Sequence, residues 1–107
     1  MNIVDIRIRK TWNRDTMRAL VSITLDSEIA IHDIKVIEGP ERLFVAMPSR
    51  KDDTGIFRDV VHPITKEARH TLETAILEEY HRYIAEKEEK EEAEEHEEPE
   101  SHDSLEA

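Results

Sequence analysis

Through most of Asn2 to Val61 the apolar residues recur at every second position, and after His62 and Pro63 they recur at helical spacing. This change of period restricts the chain to strands followed by a helix, because side chains alternate faces along a strand but share one stripe of a helix every three or four residues. In Asn2 to Lys10, Val4, Ile6 and Ile8 alternate with Asp5, Arg7 and Arg9, the pattern of a strand with one wet face. Met17 to Leu25 repeats it, with Met17, Ala19, Val21, Ile23 and Leu25 on one side and Arg18, Ser22 and Thr24 on the other. The polar segment Trp12 to Thr16 joins the two runs as a hairpin. A turn centred near Asn13 and Arg14 places Arg9 almost opposite Arg18, with Arg7 one step along the same outer face.

The third run, Glu28 to Glu38, changes phase. Ile29 and Ile31 hold one parity, Ile34 and Val36 the other, and His32 and Asp33 lie at the switch. A β-bulge there would return Ile34 and Val36 to the inner face and bend the strand, although burial of both faces would produce a similar sequence. Gly39 and Pro40 break the run, Leu43 to Met47 reads as a fourth strand and Ile56 to Val61 as a fifth. Between these last two, Pro48 cannot donate a ladder hydrogen bond and Gly55 can take positive φ, so Arg50 and Lys51 are expected in solvent at the tip of a basic loop. Such a loop serves solubility or phosphate binding.

From Thr65 to Ile84 the residues Ala68, Leu72, Ala75, Ile76 and Tyr83 form one helical stripe, with Thr65 suited to the N-cap. The expected fold class is therefore α+β, an antiparallel sheet of about five strands followed by one amphipathic C-terminal helix. A domain of about 84 residues buries only a little over 60% of its unfolded surface, so a dimer formed partly by strand pairing between subunits is expected to add core and cover an open edge.

The net charge of −11 divides unevenly. Residues 1–84 carry 13 Lys and Arg against 14 Asp and Glu, or −1, whereas residues 85–107 carry 2 against 12, or −10. The first segment reads as the folded domain and the second as an acidic tail, a fraying helix supported by the Glu86/Lys90 spacing as far as Pro99 and disordered beyond. The tail serves solubility or, tethered near the basic loop, competes with a polyanion for it. No apolar run approaches the roughly 18 to 20 residues of a membrane span, and MNIVDIRIRK alternates where an export signal would be continuously apolar, so a cytoplasmic location without membrane attachment is expected, with association to the nucleoid left open. The absence of cysteine excludes disulfides and thiolate zinc sites.

Signals for catalysis are weak. Glu78 and His81 have the i, i+3 spacing of carboxylate-bridged metal sites, but one copy on one helix is insufficient, and a chain with two glycines offers neither a Gly-rich phosphate loop nor a nucleophile elbow. His32 beside Asp33 and His62 before Pro63 read as junction residues. No catalytic residue, cofactor or metal is expected.

DIRIRK at Asp5 to Lys10, MRALVSITLD at Met17 to Asp26, HDIKVIEG at His32 to Gly39, and LFVAMPS followed by Gly55, FRD at Phe57 to Asp59 and HPI at His62 to Ile64 together resemble the SpoVG family, the stage V sporulation protein G or septation regulators. The resemblance covers nearly all of residues 1–80. It implies a small bacterial cytoplasmic regulator, not an enzyme, that binds nucleic acid, DNA with RNA left open, as a dimer or larger oligomer and affects division septum formation and sporulation or other gene regulation. An alternative is a protein-interaction module that acts on division proteins without touching nucleic acid. The resemblance places nucleic-acid contacts on the basic residues after the MPS block, here Arg50 and Lys51, with Arg58 as a further candidate. From the pattern of the strands themselves, Arg7, Arg9 and Arg18 are weaker candidates. Two departures stand out: the basic pair runs Arg-Lys where the family commonly has Lys-Arg, and Asp52 and Asp53 follow where a less acidic turn is expected, which would weaken the pull on phosphate.

Overall fold

A computed structural model of the chain describes residues 2–101. It contains strands β1 (Ile3–Thr11), β2 (Met17–Leu25), β3 (Ile29–Glu38), β4 (Leu43–Ala46), β5 (Ser49–Lys51) and β6 (Phe57–Asp59), then helix α1 (Lys66–Ser101). The first four form an antiparallel sheet in the order β1-β2-β3-β4, and β5 and β6 pair separately as a two-stranded ribbon. The architecture is thus the expected α+β, with one correction. The fifth run does not extend the main sheet but folds back on residues 49–51, so Arg50 and Lys51 belong to a strand and not to a loop tip.

Alternation decides which face of the sheet is dry. Ala19, Val21 and Ile23 of β2, Ile34 and Val36 of β3 and Val45 of β4 are fully buried, and Leu72, Ile76 and Tyr80 of α1 close over them. Burying each valine, leucine or isoleucine among them contributes about 1.5–3 kcal/mol, and these residues supply most of the core. The helical stripe is Leu72, Ile76 and Tyr80, four residues apart; Tyr83, assigned to the stripe from sequence, sits on the exposed side instead. Thr65 caps the helix as expected, its Oγ1 accepting the backbone N–H of Ala68 at 3.0 Å.

The phase error in β3 is a bulge. Val21 pairs with Ile34 and Ile23 with Ile31, so Ser22 alone faces both His32 and Asp33. Asp33 takes φ 65° to accommodate the extra residue, and Ile34 and Val36 return to the core. Two further irregularities alter the first hairpin. Val4 and Arg9 are the extra residues of β1, so Val4 turns outward, Arg7 pairs with Ser22, and Arg9 does not face Arg18 as the simple register predicts. The β2–β3 turn is a tight one in which Glu28 N–H donates to Leu25 C=O at 2.9 Å while Asp26 and Ser27 both hold positive φ.

The helix continues through Ser101 and so carries most of the acidic segment. Residues 102–107, part of the expected disordered end, lie outside the described residues. Lys87 Nζ donates to Thr11 Oγ1 at 3.1 Å, which places that part of α1 at the far end of β1, beside the register of Ala19 and Val36. At 1.5 Å per residue, Glu86 lies about 30 Å along the axis from the helix start. The helix starts beside β4, where Arg69 donates to Val45 C=O at 3.1 Å, and has crossed to β1 by Lys87, so its continuation into the tail leads away from the β4 side of the sheet, from which the ribbon follows. No described helix is long and apolar enough to cross a membrane.

Candidate nucleic-acid interface

The ribbon is built by its turn. Asp52 N–H donates to Ile56 C=O at 2.9 Å and Gly55 N–H to Asp52 C=O at 3.0 Å, with Gly55 at φ 87°, the three-residue loop that needs glycine at its left-handed position. The Asp52 carboxylate ties this loop together. Its Oδ1 accepts the backbone N–H of Thr54 at 2.9 Å, the Thr54 hydroxyl at 2.7 Å and the backbone N–H of Ile56 at 3.0 Å, while Oδ2 accepts Nε–H of Arg58 at 2.7 Å. Hydrogen bonds from Arg58, Thr54 and Ile56 hold the carboxyl well below the usual carboxylate range.

Because that pKa is depressed in the folded chain, the stabilisation is present above the unfolded value and is lost as pH falls through the lower, folded value. The backbone amide NMR signals of Thr54 and Ile56 should therefore hold their folded positions as pH passes through about 4 and move only below about 3. Movement with a midpoint near 4 would mean that the carboxylate is not held as described.

Ladder register sets where the cations point. Ser49 pairs with Asp59, Arg50 with Arg58 and Lys51 with Phe57. Arg50 and Arg58 therefore share a face, where Asp52 offsets the cost of two like charges opposite each other. Lys51 points to the other face, its Nζ 5.5 Å from the centre of the Phe57 ring. Both Arg50 and Lys51 are exposed, and among the described residues neither has an ion-pair partner. Asp52, expected to weaken both, is spent on its own turn and on Arg58. The sequence had presented the two cations as one adjacent pair; in a strand they address opposite sides.

Arg50 also lines two depressions. One, of about 620 Å³, runs around the turn between Lys51 and Val60. The other, of about 720 Å³, lies between the ribbon and the main sheet and joins Arg50 to Lys35 and His32 across an apolar floor that includes Met17, Leu20 and Ile31. The three sheet arginines fare differently. Arg18 donates to Asn13 C=O at 2.5 Å and pairs with Glu38, while its Nε is buried with no partner among the described residues, so it braces the first hairpin. Arg7 pairs with Asp5 at 2.9 Å. Arg9 alone among them has no carboxylate partner among the described residues; its Nε–H donates to Ser22 Oγ at 3.2 Å. Sequence reasoning passed over His32 and Lys35 as contributors, since only the bulge brings both to the open face of the sheet. Among the described residues no three His, Asp or Glu side chains are grouped to hold a metal ion.

A four-stranded sheet backed by one helix, with a separate ribbon carrying three cations and three carboxylates beside its uncovered face, defines a small α+β protein built around exposed surfaces. Residues 1–82 match the SpoVG family model. A protein of Clostridium beijerinckii named "Putative septation protein SpoVG" is 52% identical over 87 residues, covering 81% of this chain and 96% of that relative. A protein of the same name from Clostridium novyi is 55% identical over 80 residues, covering 75% and 80% respectively, and one from Caldanaerobacter subterraneus subsp. tengcongensis is 52% identical over 82 residues, covering 77% and 90%. The chain belongs to the SpoVG family.

Proposed function

We propose that this chain is a non-enzymatic nucleic-acid-binding regulator with a part in septation, the role named for its relatives, and that the β5–β6 ribbon is its contact with the phosphate backbone. The observation that carries this is the pair of exposed cations, Arg50 and Lys51, set on opposite faces of a ribbon whose only internal cation–carboxylate pair leaves both free. A two-stranded ribbon fits the major groove of a duplex, about 12 Å wide, where its two faces meet the phosphates of either wall. Arg58, bound to Asp52, keeps the ribbon in shape and contributes less to binding.

Self-association completes this function. β1 has a neighbour on one side only, and Ile29 to Asp33 of β3 run beyond the reach of β4. Ile29 and Val60 are exposed apolar side chains on that side of the molecule. A homodimer that covers such an edge presents two ribbons and doubles the phosphate contacts.

Fluorescence anisotropy with labelled duplex DNA and single-stranded RNA across a salt series tests the proposal. Affinity should fall steeply with salt, by about 0.9 in the log-log slope for each duplex phosphate contacted. Affinity for neither probe at low salt would sink it in favour of a protein-interaction module in division, with which an exposed, partly apolar groove is also compatible.

A further inference from the structure

The bulge in β3 assembles a second constellation on the uncovered face of the sheet. Ser22, only 7% exposed although it points away from the core, holds two side chains from neighbouring strands. Arg9 Nε–H of β1 donates to its Oγ at 3.2 Å, and Nδ1 of His32 of β3 lies 2.8 Å from the same oxygen. In the neutral ring Oγ, which accepts from Arg9, can give its own proton to Nδ1, leaving the one ring N–H at Nε2; in the charged ring Nδ1–H donates to Oγ instead and Nε2 still carries its proton. Arg9 and His32 are both exposed beyond this anchor. A guanidinium and an imidazole are thus fixed side by side with donors free toward solvent and, among the described residues, no carboxylate paired to Arg9. Fixed donors of this kind match the oxygens of a phosphodiester.

We propose that Arg9, Ser22 and His32 form a second phosphate subsite, which grips the backbone of the nucleic acid held by the ribbon. The inference rests on the nucleic-acid function proposed above. The groove between sheet and ribbon makes the two sites continuous, because His32, Lys35 and Arg50 all line it. A Ser–His nucleophile is a poorer account of the same atoms. The hydroxyl is nearly covered, it accepts from Arg9, and it lies on an open sheet face and not in an enclosed pocket.

The subsite makes binding sensitive to pH. The charged groups around His32 are Arg9 and the Arg7–Asp5 pair from β1, Asp33 and Lys35 from its own strand, and Arg50 across the groove; Ser22 from β2 is neutral. A bound phosphate brings negative charge beside the imidazole, so phosphate and proton assist each other there.

Anisotropy on the full chain with duplex DNA, at about pH 5.5 and about pH 8 across a salt series, tests this on wild type, Arg9→Gln, His32→Gln and the Arg50→Glu/Lys51→Glu pair. Arg9→Gln should lower affinity roughly threefold to fivefold at about 100 mM salt and reduce the log-log slope by about 0.9. Wild type should bind more tightly at the lower pH, and His32→Gln should lose most of that gain, an effect that the other histidines cannot supply because they remain. A salt slope and a pH profile would not respond to a purely structural role. Unchanged slope in Arg9→Gln, or an undiminished pH gain in His32→Gln, would overturn the subsite while leaving the ribbon intact. Loss of binding in these two with none in the ribbon pair would keep the subsite and overturn the ribbon, and a wild type that binds at neither pH would overturn both.

Discussion

Replacing Ile34 by Ala should destabilise the fold by about 2–5 kcal/mol, the usual cost of truncating a buried isoleucine. Ile34 is fully buried, opposite Val21, and directly follows the residue that holds positive φ in the bulge. The backbone there is held by the ladder to β2 and by the bulge residue before it, with the β4 ladder starting at the next residue, so the cavity cannot collapse by sliding the strand, and the upper part of the range applies. A domain of this size has on the order of 4–13 kcal/mol to lose. Thermal unfolding should show the melting temperature falling by at least about 10 °C, with Ile34→Val intermediate at about 0.5–1.5 kcal/mol. Ile64, 86% exposed ahead of the helix, supplies the contrast: Ile64→Ala should stay within about 0.5 kcal/mol of wild type. An Ile34→Ala protein that melts with the wild type would mean that β3 does not enter the core in this phase.

How much of this fold can be read from residues depends on which force sets each element. The strands of the main sheet and the helix are legible because burial imposes a period, and the bulge is legible because His32 and Asp33 interrupt that period between isoleucines. Thr65 is legible because a hydroxyl before a helical stripe has one capping role. The outward turn of Val4 is not, since nothing in the alternation of β1 marks where an extra residue enters. Nor is the Asp26–Ser27 turn, whose two positive φ values lack the Asn-Gly or Asp-Gly signature of such turns. Tyr80 and Tyr83 lie three residues apart on the helix, and only the packed sheet decides which is inside. In the candidate interface, residue identities were legible and their directions were not. Arg50 and Lys51 read as neighbours on a loop because Ser49 to Lys51 is too short and too polar to announce a strand; pairing with Phe57 to Asp59 makes it one. Asp52 reads as a competitor for phosphate because its hydrogen bonds, three within the turn and one to Arg58 across the ribbon, depend on a turn that sequence does not specify.

The separation of the two cations gives charge reversal its largest expected effect and makes it diagnostic. Arg50→Glu/Lys51→Glu removes two free cations from each ribbon and installs two anions beside Asp53 and Asp59, where only Arg58, already bound to Asp52, is left to oppose them. Two lost duplex contacts reduce the log-log salt slope by about 1.8 per subunit, and repulsion adds to the loss, so affinity at about 100 mM salt should fall on the order of a hundredfold or more. Folding should be unaffected, since both side chains are exposed and neither braces the turn; sedimentation should show the same oligomer and the melting curve should not move. The single variants then report how the ribbon is used. If both faces meet phosphate, Arg50→Glu and Lys51→Glu should each cost a comparable share and their losses should add, because the side chains do not touch. If the nucleic acid follows only the groove that Arg50 shares with Lys35 and His32, Arg50→Glu alone should reproduce nearly the whole loss. A double variant that binds duplex DNA and RNA as the wild type does, with the wild-type salt slope, would remove the ribbon from nucleic-acid recognition.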